Sequence, residues 1–133
     1  MKKWFVVWAF ATLSLMADYT AQPIDQPLID AKMKIIDIRT PTEWNATGLV
    51  KGSIPIMFFD DQGGYDMESF LQKLTQIIPS KERFALICNS GSRSKVLGKF
   101  LGEQMGYNVI DLQGGIQYAI IKHIPLEPYQ PKP

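Results

Sequence analysis

Short apolar runs alternate with helix signals along most of this 133-residue chain, and that alternation constrains the fold more than any other feature of the sequence. The clearest run, Phe84–Ile87, is apolar at every position, as in strands that are buried on both faces of a parallel sheet. Weaker strand signals lie at 34–38, 53–58 and 108–112, and the polar lead-in at 18–33 has room for one short edge strand. Because strands that alternate with helices form parallel sheets with helices on both faces, the sequence predicts a small α/β domain with a mostly parallel five-stranded sheet.

Helix signals fill the intervals between these runs. Thr40 fits an N-cap, because a proline follows it and Glu43 lies three residues after it. Apolar residues recur at helical spacing over 66–78, and further helices are predicted over 94–105 and from Gly114 to Ile121. The apolar face of the 94–105 helix is expected to consist of Val96, Leu97, Phe100, Leu101 and Met105.

Composition excludes several classes of function. Hydrophobic residues make up 46% of the chain, which is enough for a core and excludes wholesale disorder. Fourteen basic residues oppose thirteen acidic ones, so no basic excess indicates nucleic-acid binding. The single cysteine excludes an internal disulfide framework and a multi-cysteine metal site, and with only one histidine we expect neither a metal nor another cofactor.

The N-terminus has the pattern of an export signal. Lys2 and Lys3 precede an apolar run over 4–16, as in secretory signal peptides, and the run is shorter than the about 20 residues of a membrane span. We assign residues 1–21 to a signal peptide cleaved between 17 and 21, residues 22–128 to the domain and residues 129–133 to an extended Pro-rich tail. The protein is therefore predicted to be periplasmic or secreted, and to meet a membrane only if the segment stays uncleaved. The alternatives are an uncleaved anchor and a buried N-terminal helix or strand.

The chemistry is expected in the loop that begins at Cys88, at the C-terminal end of the buried strand, where ligands bind in open α/β sheets. The residues after this cysteine are Asn89, Ser90, Gly91, Ser92, Arg93 and Ser94. Small residues let successive N–H groups turn inward around an anion, and the helix that follows adds the positive end of its dipole. Together with the Arg93 cation, these groups favour the thiolate of Cys88, so no neighbouring base is required, and they could also hold an anionic substrate.

The loop sequence resembles that of the rhodanese family, whose Cys-x-x-Gly-x-Arg-Ser pattern matches residues 88–94. Residues 36–54, which begin IDIRTPTEW, are similar to the first signature of that family. Residues 112–116 (LQGGI) match its late Leu-x-Gly-Gly element. The three elements occur in the order and spacing of the family, and together they cover about residues 34–121.

The resemblance implies a rhodanese-like domain that transfers sulfur, of the single-domain periplasmic thiosulfate sulfurtransferase type. Cys88 would take a sulfane sulfur from thiosulfate or a similar small anionic donor. The resulting persulfide would pass that sulfur to cyanide or a thiol, including one on a thioredoxin-like protein. Arg93 would attract the donor, Asp37 would be structural, and Arg39 would lie behind the loop as a candidate supporting residue.

Two other functions are compatible with the same residues. Cysteine-based phosphatases and arsenate reductases also use a cysteine in an anion-binding loop closed by arginine, but those that resemble this fold enclose five residues, whereas Cys88 and Arg93 enclose four. The other alternative is a non-catalytic binding module built on the same fold, because fold alone does not determine function.

Overall fold

The computed structural model describes residues 17–131. The elements along this part of the chain are β1 (Asp18–Pro23), α1 (Gln26–Asp30), β2 (Ile35–Asp37), α2 (Pro41–Thr47), β3 (Leu49–Val50), β4 (Ile54–Pro55), α3 (Met67–Ile77), β5 (Phe84–Ile87), α4 (Ser92–Met105), β6 (Asn108–Gln113), α5 (Gly115–Ile121) and β7 (Leu126–Glu127). None of these helices has the length and apolar character that a membrane span requires.

One sheet contains five of these strands, in the order β1-β6-β5-β2-β4, and every neighbouring pair is parallel. This confirms the predicted α/β fold with a five-stranded sheet. The apolar strand β5 lies at the centre, and all four of its residues are buried. Cys88 therefore stands at the C-terminal edge of the middle strand.

Helices cover both faces of the sheet, and each face has its own core. On one face, α3 contributes Phe70 and α4 contributes Leu97 to a cluster that also includes the side chain of Cys88. On the other face, α1 contributes Leu28 and α5 contributes Ile116. Successive residues of β5 alternate between these two clusters because side chains of a strand point to opposite faces. The predicted helices on both faces are thus present.

The lead-in at 18–33 contains more structure than the sequence predicted. Strand β1 pairs with β6 over its whole length, from Asp18 opposite Asn108 to Pro23 opposite Gln113. Residues 18–21, which the sequence analysis assigned to the N-terminal signal, thus form part of the sheet edge. The apolar run at 4–16, on which the predicted signal peptide depends, lies outside the described residues.

The buried face of α4 differs from the predicted one. The helix begins at Ser92 rather than near Ser94, and Val96 and Phe100 are 63% and 38% exposed. The face that packs on the sheet consists of Ser94, Leu97, Gly98, Leu101 and Gly102. At Gly102 a β-carbon would lie only 3.2 Å from the backbone nitrogen of Tyr19, so the glycines bring α4 close to β1. The prediction is confirmed for Leu97 and Leu101 and wrong for Val96 and Phe100, because close packing of the helix on β1 selects small side chains beside the two leucines.

Two predictions for short segments also need correction. The strand predicted at 53–58 is regular only at β4, although the N–H of Ile56 still donates to the Asp37 carbonyl and continues beside β2. The sequence analysis also missed β7, which lies just before the predicted tail and pairs antiparallel with β3. Tyr129 then packs against Trp44, with ring centroids 5.2 Å apart. These contacts involve residues distant in sequence, so local patterns did not indicate them.

Candidate active site

The sulfur of Cys88 lies beneath a loop whose backbone points donors at it. The N–H of Gly91 donates to Sγ at 3.1 Å, and the N–H of Ser94 lies 3.4 Å from the same atom. Gly91 has φ of 104°, a left-handed conformation that suits glycine and turns the loop into the first turn of α4. Two backbone donors and the N-terminus of a 14-residue helix therefore converge on the sulfur, where they stabilise negative charge.

Cys88 has no exposed surface in this structure. Its sulfur is covered by the loop on one side and by the α3–α4 core on the other. Any molecule that reacts with this thiol must therefore displace atoms that cover Sγ. This burial distinguishes Cys88 from an ordinary surface thiol, which would react with any oxidant that it meets.

The start of α5 supports the loop from outside. The N–H of Ile116 donates to the Cys88 carbonyl at 2.9 Å, and the N–H of Gln117 donates to the Asn89 carbonyl at 3.1 Å. The side chain of Gln117 also donates to Asn89 Oδ1 at 3.0 Å. Gly115, with φ of 58°, packs so closely that a β-carbon there would overlap both loop carbonyls. The sequence analysis matched the Gly-Gly pair to a family element without recognising this supporting role.

Arg93, which the sequence predicted to supply the cation of the loop, is paired with a carboxylate in the structure. Its guanidinium forms a two-pronged ion pair with Glu43, in which both nitrogen–oxygen distances are 2.7 Å. Hydrogen bonding from Arg93 is the main cause that lowers the pKa of Glu43, and the same bond raises the pKa of Arg93. Glu43 also completes the predicted capping box, because the N–H of Thr40 lies 3.4 Å from its Oε1. The sequence indicated Glu43 only as a capping residue.

We expect Glu43→Gln to lower the free energy of unfolding by about 1 kcal/mol at neutral pH, because glutamine can still cap the helix but cannot pair with a cation. The pKa of Glu43 is lowered in the folded protein, so the stabilisation is fully present above the unfolded pKa of about 4.3. It is lost as the pH falls through the lower folded pKa. Urea unfolding of both proteins between about pH 7 and about pH 3 measures this loss. A difference that does not change with pH would show that the charge of Glu43 contributes nothing.

Asp37 and Arg39 form a structural pair behind the sheet edge. Both side chains are fully buried, and Arg39 holds the carboxylate of Asp37 through Nε and Nη2 at 2.9–3.1 Å. Its remaining donors reach Thr47 Oγ1 and the Gly48 carbonyl, each at 2.8 Å, and Trp44 Nε1 also donates to Asp37. All of these side-chain hydrogen bonds of Arg39 go to β2 and to the end of α2, so the structure does not bring Arg39 to the loop.

Ser94 connects the sulfur to two residues that the sequence analysis missed. Its Oγ lies 3.4 Å from Cys88 Sγ and donates to Asp111 Oδ1 at 2.6 Å. Tyr19 donates to the other oxygen of Asp111 at 2.7 Å. Burial and this carboxylate raise the pKa of Tyr19 above its usual range, so its hydroxyl keeps the proton that it donates. The sequence did contain a signal for Asp111, because burying a carboxylate within an apolar strand costs free energy unless a hydrogen-bond or charge partner compensates it.

Two hollows of opposite character flank the loop. One, of about 590 Å³, is lined by Ser92 and Arg93 together with Asp60 and Asp61. The other, of about 330 Å³, is lined by Ser90 and by two of the basic residues of α4, Lys95 and Lys99. Within residues 17–131, no three histidine, cysteine or acidic side chains are grouped so that they could hold a metal ion.

Comparison with known proteins identifies the fold and the family. A family profile of the rhodanese-like domain matches residues 17–119. A rhodanese-related protein from Thermoplasma volcanium is 31% identical, with a TM-score of 0.57 over 76% of this chain and 88% of its own. A thiosulfate sulfurtransferase from Pseudomonas aeruginosa is 20% identical, with a TM-score of 0.66 over 84% of this chain and 21% of its own. A Rhodopseudomonas palustris protein, described as a possible tyrosine phosphatase, is 24% identical, with a TM-score of 0.56 over 76% of this chain and 77% of its own. A search of curated proteins found no significant match.

Proposed function

The chain belongs to the rhodanese-like domain family, and on that premise we propose that it is a sulfurtransferase that carries a sulfane sulfur as a persulfide on Cys88. The observation that carries this proposal is the pair of backbone N–H groups, from Gly91 and Ser94, that point at Sγ. An attacking sulfur must be a thiolate, and the outer sulfur of a persulfide also carries negative charge. The same inward donors stabilise both species.

The proposed cycle has two displacement steps. The Cys88 thiolate attacks the outer sulfur of thiosulfate, so a new S–S bond forms, the S–S bond of thiosulfate breaks, and sulfite leaves with its electron pair. Cyanide or an acceptor thiolate then attacks the outer sulfur of the persulfide, and the Cys88 thiolate is released. Neither step needs a metal, a cofactor or an external oxidant.

The loop size supports this reaction over phosphoryl transfer. Four residues separate Cys88 from Arg93, and the sulfur below them is completely buried. A single sulfur atom fits within such a short loop better than a tetrahedral phosphoryl group, which carries three oxygens. The ion pair of Arg93 with Glu43 leaves less positive charge for any dianion, thiosulfate included, so it does not discriminate between the two reactions.

The same ion pair is expected to weaken the use of anionic donors. We expect Glu43→Gln to lower the KM for thiosulfate roughly fivefold, since freeing Arg93 adds about 1 kcal/mol of attraction for the dianion. Steady-state kinetics with cyanide as acceptor measure the change, and Glu68→Gln on the exposed side of α3 is the matched control. An unchanged KM would show that Arg93 does not handle the donor and acts only to hold α2 against the loop.

The experiment that tests the proposed function is an intact-mass measurement of the purified protein. Spectra are recorded before thiosulfate, after thiosulfate and after subsequent addition of cyanide. We expect the mass to increase by one sulfur atom and to return with cyanide. If no sulfur is gained, hydrolysis of a phosphate ester would indicate a phosphatase, and failure of both assays would indicate a binding module.

We propose that the protein acts in the periplasm or outside the cell, on the strength of the lysine pair and apolar run at its N-terminus. Strand β1 begins at Asp18, so cleavage after Ala17 would keep the whole strand, whereas cleavage after Ala21 would remove four of its six residues. We therefore favour cleavage after Ala17, which the same mass spectrum can test. In that compartment the proposed sulfur acceptor is a small thiol, cyanide or the thiol of a thioredoxin-like protein, and nucleic acid is not expected as a partner.

A further inference from the structure

We propose that Asp111 accepts the proton of the Cys88 thiol through the hydroxyl of Ser94, and that Tyr19 holds Asp111 in position for this transfer. The inference rests on the proposed function only in that sulfur transfer needs a thiolate. It also revises the expectation from sequence that the loop requires no base. Asp111 does not touch the sulfur, so it is a positioning residue that acts through Ser94.

The contacts of Ser94 determine the direction in which its hydroxyl hydrogen points. Its hydroxyl has one hydrogen and three acceptors in reach, namely Asp111 Oδ1 at 2.6 Å, the Gly91 carbonyl at 3.2 Å and Cys88 Sγ at 3.4 Å. The short contact with a carboxylate is much the strongest, so the hydrogen lies on that side. A lone pair of Oγ then faces the sulfur, where only an S–H group can complete the contact. The resting chain therefore runs from S–H to O–H to carboxylate.

Burial leaves the thiol proton no direct route to water. Cys88 and Ser94 have no exposed surface, and Asp111 is only 3% exposed. The other groups around the sulfur, which are Arg93 and two backbone N–H groups, have no lone pair that could take a proton. The Ser94 hydroxyl is therefore the path by which the proton can leave, and Asp111 is the base at the end of that path.

The charged groups that face Asp111 come from three elements. Tyr19 of β1 donates to it, Cys88 directly after β5 lies behind Ser94, and Lys95 and Lys99 of α4 line the 330 Å³ hollow that Asp111 also lines. Both lysines place positive charge on the same side of the loop as the carboxylate. The Tyr19 hydroxyl fixes the carboxylate so that its other oxygen stays directed at Ser94.

The transfer conserves charge within the site. The S–H bond breaks, and its electron pair stays on sulfur. The proton moves to Ser94 Oγ while the hydroxyl proton of Ser94 moves to Asp111 Oδ1. A thiol and a carboxylate become a thiolate and a carboxylic acid, and the reversed Ser94 hydroxyl now donates to the thiolate beside the two N–H groups.

The test is the pH dependence of the alkylation of Cys88 by iodoacetamide, a neutral reagent that reports on the only cysteine of the chain. Two sites that share one proton titrate in two steps, so wild type is expected to show a reactive plateau on the acidic side of its main rise. In D111N and S94A that plateau should fall about tenfold or more, leaving a single step. Y19F should keep both steps with a lower plateau, and D30N, which removes an exposed carboxylate, should match wild type.

Two results would overturn the proposal. A faster reaction of D111N at neutral pH would show that Asp111 only repels the thiolate, and a profile equal to that of wild type would show that it has no effect. If the variants do not fold, the infrared difference between wild type and C88S still decides, since only wild type has the thiol. An S–H band shifted to lower frequency by the hydrogen bond to Ser94 is expected, and a band at the position of a free thiol would contradict the proton path. Alkylation involves no sulfur donor, so this result is independent of whether the protein transfers sulfur.

Discussion

Replacing Cys88 with serine is expected to abolish sulfur transfer while the fold is retained. A serine hydroxyl is a far weaker nucleophile toward sulfur and cannot form a persulfide, so we expect a loss of at least about a thousandfold. The substitution keeps nearly the same volume in the core on the α3 and α4 side of the sheet. The measurement is the thiosulfate and cyanide assay together with intact mass, and circular dichroism verifies the fold.

A second variant separates the effect of losing the thiol from the effect of introducing a hydroxyl. Cys88→Ala removes the hydroxyl as well, and we expect it to be as inactive as Cys88→Ser. Activity that persisted in both variants would place the reacting group elsewhere and contradict the persulfide mechanism. Activity in the serine variant alone would mean that an oxygen nucleophile suffices, which would favour a hydrolytic reaction.

Gly115→Ala is expected to destabilise the fold strongly while the Cys88 side chain stays intact. A β-carbon there would overlap the carbonyl oxygens of Cys88 and Asn89, and both are backbone atoms that cannot rotate away. The residue also has φ of 58°, which alanine adopts only with strain. We expect a loss of about 3 kcal/mol or more in the free energy of unfolding. The displaced loop should also lose persulfide formation.

Gly52→Ala is the matched control for the backbone conformation alone. Gly52 has φ of 82°, and a β-carbon there would meet nothing within 4 Å. This variant should cost about 1 kcal/mol and leave sulfur transfer unchanged. Urea unfolding and the mass assay compare the two proteins directly. If Gly115→Ala were no less stable than Gly52→Ala, the start of α5 would not be what holds the loop.

The sequence by itself determined the class of fold and identified Cys88 as the candidate nucleophile. Both depend on contiguous signals, namely an apolar strand over 84–87, a small-residue loop and the helix that follows. The capping box of Thr40 was predictable for the same reason, since its partners are three residues apart. Helix-capping hydrogen bonds and the periodicity of apolar side chains involve residues only a few positions apart, so both can be recognised in the sequence.

Only the tertiary structure decided the electrostatics of the site. Glu43 is 50 residues from the Arg93 that it neutralises, and Asp111 is 17 residues from Ser94 and 92 from Tyr19. Glu43 and Arg93 meet because they follow the C-terminal ends of the adjacent parallel strands β2 and β5. Tyr19, Asp111 and Ser94 meet because β1 pairs with β6 and two glycines let α4 approach β1. Contacts of this kind depend on strand order and on the rotation of a helix, which no local pattern encodes. The sequence therefore identified the candidate sulfur, and the fold determined which charged and polar groups surround it.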